Sequence, residues 1–145
     1  MIILIQRVNH AKVSIADRCH AQIGRGLLAF VGIESNDTIE SSVRLLDRVL
    51  AYRVFPDAEG RMNVSLRDVD GELLLVSQFT LAATTNQGLR PGFSSAMAPA
   101  KAEALYELLV ENVRGKYARV KSGVFAADMK VELENDGPVT FVLKD

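Results

Sequence analysis

The chain has a single cysteine, Cys19, in 145 residues, so it has no internal disulfide framework and no cysteine-built zinc site. Tryptophan is absent, and the only histidines are His10 and His20. These two lack the His/Asp/Glu spacing of a metal site and read as surface or strand residues. Charge of one sign is missing too. Seventeen basic and eighteen acidic side chains leave a net −1, which gives no general attraction to nucleic acid or membranes, so any basic surface must be local. No long apolar run is present. "MIILIQRV" places five apolar residues before Gln6 and Arg7, too few for a signal peptide's apolar region or a membrane span, and the expected location is the cytosol. Repeats, low-complexity tracts and linkers are lacking, so one domain covering 1–145 is expected. A chain this long buries roughly 68–70% of its unfolded surface and needs no metal or cross-link to hold it.

Several catalytic signatures are also missing: there is no G-x-S-x-G elbow, H-E-x-x-H, P-loop or Cys-His arrangement. "GRGLLAFVG" contains one Gly-x-Gly, but it precedes a strand where a dinucleotide-binding fingerprint has to open a helix.

What is present is a change of period along the chain. "MIILIQRV" and "AKVSIAD" are β-rich runs around a short polar break, which suggests a hairpin. "GLLAFVGIE" (26–34) is apolar nearly throughout, as in a strand buried on both faces. From Thr38 to Arg53 the apolar residues Ile39, Val43, Leu46, Val49 and Leu50 fall three and four apart, and Asp37 with Glu40 reads as a helix start. "ELLLVSQFTLA" (72–82) is a second apolar strand run, followed by the polar loop "TTNQGLRPGFSS". A second helix is expected from Pro99, with Ala102, Leu105, Leu109 and Val113 as its stripe and Gly115 as its stop. "GVFAADMKVELEN" and "PVTFVL" read as two further strands. The fold class expected is mixed α/β: about seven strands in a single, largely antiparallel, barrel-like sheet, with two amphipathic helices packed outside.

Five segments are candidates for chemistry, and each has a plainer reading beside it. In "SQFTLA", Ser77, Gln78 and Thr80 bring polarity to the end of an apolar strand just before a long loop, where sites are commonly built; they equally mark a strand emerging into solvent. In "GLRPGF", Arg90 beside Pro91 and Phe93 suits a phosphate and a stacked base, or is a turn with an anchoring aromatic. Arg114, Lys116, Arg119 and Lys121 suit phosphates, or a solvated helix end. Phe125 and Met129 in "GVFAADM" read locally as core packing, and "NDGP" before "VTF" as turn residues that open a strand.

Taken in order, "QRV", "SQFTLA", "GLRPGF", "FAADM" and "NDGPVTF" resemble the D-aminoacyl-tRNA deacylase family over essentially the whole chain. The resemblance implies hydrolysis of the ester joining a D-amino acid, or mischarged glycine, to the 3′-terminal adenosine of tRNA. It implies a homodimer working without metal or cofactor, with tRNA and not DNA or a membrane as partner. Carried over residue by residue, Ser77, Gln78, Phe79 and Thr80 form the adenosine- and ester-binding strand end. Gly137 and Pro138, joined by a cis bond, form a chirality screen that reaches into the other subunit's pocket. Phe125, Ala126 and Met129 stand as pocket wall, and Arg7 helps hold the dipeptide loop. Ala98 is a mild departure, since a better helix cap is expected before Pro99.

The residue types suit such a screen. D- and L-amino acids differ in the direction their side chain leaves Cα, so blocking one direction discriminates between them. Gly137 lets a backbone carbonyl approach closely, and Pro138 makes the block stiff. For the hydrolytic step, Thr80 as nucleophile lacks an evident activating base in the sequence. Backbone amides near Phe79 and Thr80, with help from the adenosine 2′-hydroxyl, make the preferred route. Two other classes remain distinct: a non-catalytic RNA-end or nucleotide-binding module of the same fold, and an esterase acting on free D-amino-acid esters.

Overall fold

A 14-residue strand, β1 (Ile2–Ile15), organises the molecule. The structure is a computed structural model and describes residues 1–86 and 88–144. Along its whole length β1 pairs with the long C-terminal strand β8 (Lys130–Lys144). On its other side it pairs first with β3 (Gly26–Gly32) and then with β2 (Arg18–Ile23). β6 (Glu72–Ser77) lies parallel to β3, and the three-residue β7 (Val120–Ser122) lies parallel to β6. The ladders of β1 are antiparallel and those of β6 parallel, which gives the mixed, largely antiparallel sheet expected from the sequence. Lys121 of β7 donates through Nζ to the carbonyl of Gln22 in β2, drawing the two ends of the sheet toward a barrel-like closure. A separate two-stranded hairpin joins β4 (Phe55–Pro56) and β5 (Met62–Val64).

The central strands β3 and β6 are buried on both faces, and the period-2 alternation of the sheet divides two cores. In β3, Leu27, Ala29 and Val31 enter one core while Leu28 enters the other; in β6, Leu73 and Leu75 are separated from Leu74 and Val76 in the same way. The larger core receives Leu45, Leu46, Val49 and Leu50 from α1 (Ile39–Ala51). It also receives Leu105, Tyr106, Leu109 and Val113 from α2 (Pro99–Lys116). The smaller core fills the curl of the sheet with Val8, Ala11, Val13, Ala21 and Ile23.

β1 therefore changes sides. Ile3 and Ile5 face the helices, whereas Ala11 and Val13, of the same parity, face the interior of the curl. An added residue accounts for the switch: the register with β8 shifts between Gln6 and Val8 and again between Val8 and His10. β8 follows, with Phe141 and Leu143 on the helix side and Val131 and Leu133 on the other.

Several local expectations are corrected. The polar break Asn9-His10 lies at this bulge inside one strand and is not a turn between two; the hairpin turn lies at Ala16 and Asp17, both with positive φ. The cap of α1 is Thr38, whose side chain accepts from the Ser41 amide in a reciprocal capping box. Asp37 instead accepts from the Glu34 amide and pairs with the Met1 ammonium group. Gly115 does not stop α2, which runs through Lys116. Ala98 does stand at the N-cap of α2 without a side-chain hydrogen bond. β6 ends at Ser77, and residues 79–82 form a 3₁₀ turn. Residues 123–129 precede β8 as a loop, and "NDGP" lies within β8 and not before it.

Candidate active site and a clamped bulge

At the end of β6 the chain turns through a 3₁₀ element (Phe79–Ala82) closed by Leu81 N donating to the Gln78 carbonyl, 3.2 Å. The Gln78 amide donates to the Val31 carbonyl at 2.8 Å, tying the turn to β3. A Cβ at Gly32 would lie 2.7 Å from Leu81 Cβ, so glycine is what allows β3 to pass this close. The amides of Phe79 and Thr80 precede the first bond of the turn and have no partner within it. Gln78 Nε2 donates to Thr80 Oγ1 at 2.6 Å, which fixes both side chains.

Gln78 and Phe79 border a cavity of about 640 Å³. One wall is Val76, Ser77, Gln78 and Phe79; a second is Phe93, Ala96, Met97 and Pro99; the third is the 125–129 loop with Val131. Phe79 and Phe93 are 60% and 40% exposed and stack at 5.0 Å between centroids with a 49° tilt, forming an aromatic shelf at the rim. Asp128 is the one ionisable side chain among the lining residues, and no histidine or lysine lines the cavity. Thr80 is exposed and outside the lining.

The walls are joined from behind. The Leu75 carbonyl accepts both the Gly123 amide, 2.8 Å, and the Tyr106 phenol, 3.0 Å, so β6, the 123–129 loop and α2 meet at one oxygen. Burial pushes the Tyr106 phenol far above its ordinary pKa, which keeps it a donor at any working pH. Its ring lies 6.0 Å from that of Phe125. Gly123 admits Met129, whose sulfur would lie 2.6 Å from an added Cβ. Ala126 takes φ +58°, turning the loop around the cavity.

The second feature is the bulge in β8. Gln6 pairs with Thr140 and Val8 with Asn135, so residues 136–139 stand opposite Arg7 alone. The surplus chain is clamped. Arg7 Nε donates to the Asp136 carbonyl and contacts its carboxylate, both at 3.0 Å, while Nη1 donates to the Val54 carbonyl at 2.6 Å. Asn135 Oδ1 accepts the Val139 amide at 2.7 Å, closing the base of the bulge. At its tip Gly137 has φ +139°, the Gly137–Pro138 bond is cis, and both residues are exposed. Neither lines the cavity.

The structure thus brings Ser77, Gln78, Phe79, Phe125, Ala126 and Met129 together, and places Arg7, Gly137 and Pro138 elsewhere on the same chain. Sequence reading did not single out Ala96, Met97, Ala127 or Asp128, which have no distinctive chemical pattern; Phe93 was visible in "GLRPGF". The clustered cations are largely occupied. Lys116 pairs with Asp47 at 2.8 Å, Arg119 with Asp70 at 3.3 Å and Lys121 with Glu72 at 3.6 Å, while Arg114 donates to Ser122. Among the described residues no group of three or more His, Cys, Asp and Glu could hold a metal ion. No helix there is long and apolar enough to cross a membrane.

This mixed α/β fold is shared with known proteins. The family model described as D-Tyr-tRNA(Tyr) deacylase matches residues 4–144. D-aminoacyl-tRNA deacylases of Cellvibrio japonicus and Klebsiella pneumoniae are each 52% identical over 144 residues, covering 99% of both chains. A solved structure described as a c-Myc DNA Unwinding Element Binding Protein superposes with a TM-score of 0.95 at 36% identity, covering 100% of this chain and 99% of the other. Another, described as a probable eukaryotic D-amino acid tRNA deacylase, gives 0.88 at 18% identity and 98% and 97% coverage, a likeness of fold. The chain belongs to the D-aminoacyl-tRNA deacylase family.

Proposed function

We propose that this member of a family of aminoacyl-ester hydrolases removes D-amino acids, and glycine, from the 3′-terminal adenosine of tRNA. The observation that carries the reading is the cavity itself: apolar walls, an aromatic shelf, backbone amides at the 3₁₀ turn, and no histidine or lysine in the lining. An activated ester asks for positioning and charge stabilisation more than for a strong nucleophile. In this mechanism a water attacks the ester carbonyl, and the Phe79 and Thr80 amides receive the developing oxyanion. The adenosine 2′-hydroxyl orients the water, and the ribose 3′-oxygen leaves with a proton. Thr80 then serves as the partner that holds Gln78 and not as the nucleophile. Thr80→Val is expected to keep single-turnover hydrolysis within about tenfold of wild type. Complete loss with tRNA binding intact would make Thr80 the nucleophile.

Chirality is assigned to Gly137 and Pro138 acting on a second copy of the chain. Three features support the assignment: the dipeptide is exposed, it does not line its own chain's cavity, and β8 pairs on one side only among the described residues. The rigid backbone blocks the direction an L side chain takes; a D side chain points away, and glycine has nothing to collide. Incubation with D-Tyr-tRNA and L-Tyr-tRNA is expected to free D-tyrosine at least a hundredfold faster, a difference of about 2.7 kcal/mol between transition states.

The description of the 36%-identical neighbour as a DNA-element binder favours a second reading, a non-catalytic nucleic-acid-binding module. Such a module would leave both esters intact in the same incubation. Turnover of free D-amino-acid esters at the rate of the tRNA ester would point to the small-ester esterase.

A further inference from the structure

We propose that Arg90 and Lys101 form a phosphate bracket at the mouth of the cavity, gripping the RNA backbone next to the terminal nucleoside; this rests on the deacylase reading above. With a net charge of −1, the molecule must supply RNA attraction from particular side chains. Many of its cations are already engaged. Lys116, Arg119, Lys121, Lys12 and Arg7 face carboxylates, and Arg25 and Arg48 lie over aromatic rings. The side chains of Arg90 and Lys101 have no hydrogen-bond or ion-pair partner among the described residues, and both are exposed.

Their placement is specific. Arg90 sits in a loop closed by two backbone hydrogen bonds, Thr84 N to Gly92 O at 2.8 Å and Gly92 N to Thr84 O at 3.0 Å. Three residues later Phe93 lines the cavity and stacks on Phe79. Lys101 lies in the first turn of α2, two residues after Pro99, which also lines the cavity. The segment between them is held to the chain just beyond β3 by Ser35 N to Ser95 O at 2.9 Å and Met97 N to Ile33 O at 3.1 Å. The two cations therefore flank in sequence the run from Phe93 to Pro99 that supplies one wall of the cavity. With a nucleoside inside, the first group outside is its 5′ phosphodiester, and a guanidinium and an ammonium at the rim match it. The positive end of α2, with no side-chain cap at Ala98, adds to the same potential.

Uncharged tRNA is titrated against wild type, Arg90→Ala, Lys101→Ala and the double variant at several salt concentrations, and each protein is assayed on 2′(3′)-O-D-tyrosyl-adenosine, which carries no phosphate. Each single change is expected to weaken tRNA binding about tenfold and to reduce the slope of log K against log salt by about one. Hydrolysis of the nucleoside ester should stay within twofold. Unchanged Kd and slope would overturn the bracket, as would an equal loss on the nucleoside ester. Failure of the deacylase reading is separate: wild type would then be inert on the ester, while the tRNA titration would still report the bracket.

Discussion

Gly137→Ala should lower kcat/KM on D-Tyr-tRNA by at least about a hundredfold while leaving the fold intact. At Gly137 φ is +139°, a conformation that L side chains rarely adopt. A Cβ there would lie 2.6 Å from Val139 Cγ2, 3.0 Å from the Val139 amide and 3.2 Å from Arg7 Nη2. The bulge must reshape, and the Arg7 and Asn135 clamps that aim it must shift with it. The tip is exposed and contributes little apolar burial, so circular dichroism and thermal melting should change little. A mixing experiment tests action on a second copy. In an equal mixture of Gly137→Ala and Gln78→Ala chains, half the dimers carry one intact cavity facing one intact gate, and activity should return to about a quarter of wild type. A gate acting on its own chain gives no recovery, because every chain then carries a defect.

The second large effect concerns stability. Gly26→Ala should lower the melting temperature by more than about 10 °C or abolish soluble protein, corresponding to roughly 4 kcal/mol or more. Gly26 opens β3 opposite Glu72, the first residue of β6. An added Cβ would lie 1.8 Å from the Glu72 carbonyl oxygen and 2.7 Å from its backbone nitrogen. These are backbone atoms of a paired strand, so no side-chain rotation relieves the overlap and the two strands must separate. Leu73, Leu74 and Leu75 are fully buried just beyond and would lose packing in both cores. Differential scanning calorimetry reads the change directly. A melting temperature within 2 °C of wild type would show that the β3–β6 spacing adapts freely.

The parts of the fold legible in the sequence were those with long, strong periods. β3 and β6 were readable because strands buried on both faces are continuously apolar, and α1 and α2 because their stripes recur at three and four. The strand count failed where strands are long and bulged. "NH" (Asn9 and His10) and "NDGP" are polar because a bulge turns backbone and side chains to solvent, and in one dimension that looks the same as a chain reversal. β7 was hidden among cations because Val120 alone of its three residues is buried. The parallel pairing of β3, β6 and β7 depends on segments far apart in sequence. At the site, the polarity change at Ser77–Thr80 was a physical signal, whereas the Phe125–Met129 wall was readable only through family resemblance. Met97 and Ala96 carried no signal, because a wall needs only the right shape in the right place.

β1 belongs to both cores and pairs with three strands, with the bulge clamp at its midpoint. Freeing Arg7 by backbone opening requires β1 to leave β3 and β8 together, which amounts to unfolding most of the molecule. Segments that close over a ligand usually come from the least protected parts of a protein. The proposed screen is instead mounted on the strand shared by both cores, so thermal opening frees its clamp only together with most of the native state. A discriminator that must refuse every L-amino acid without yielding needs this kind of mounting.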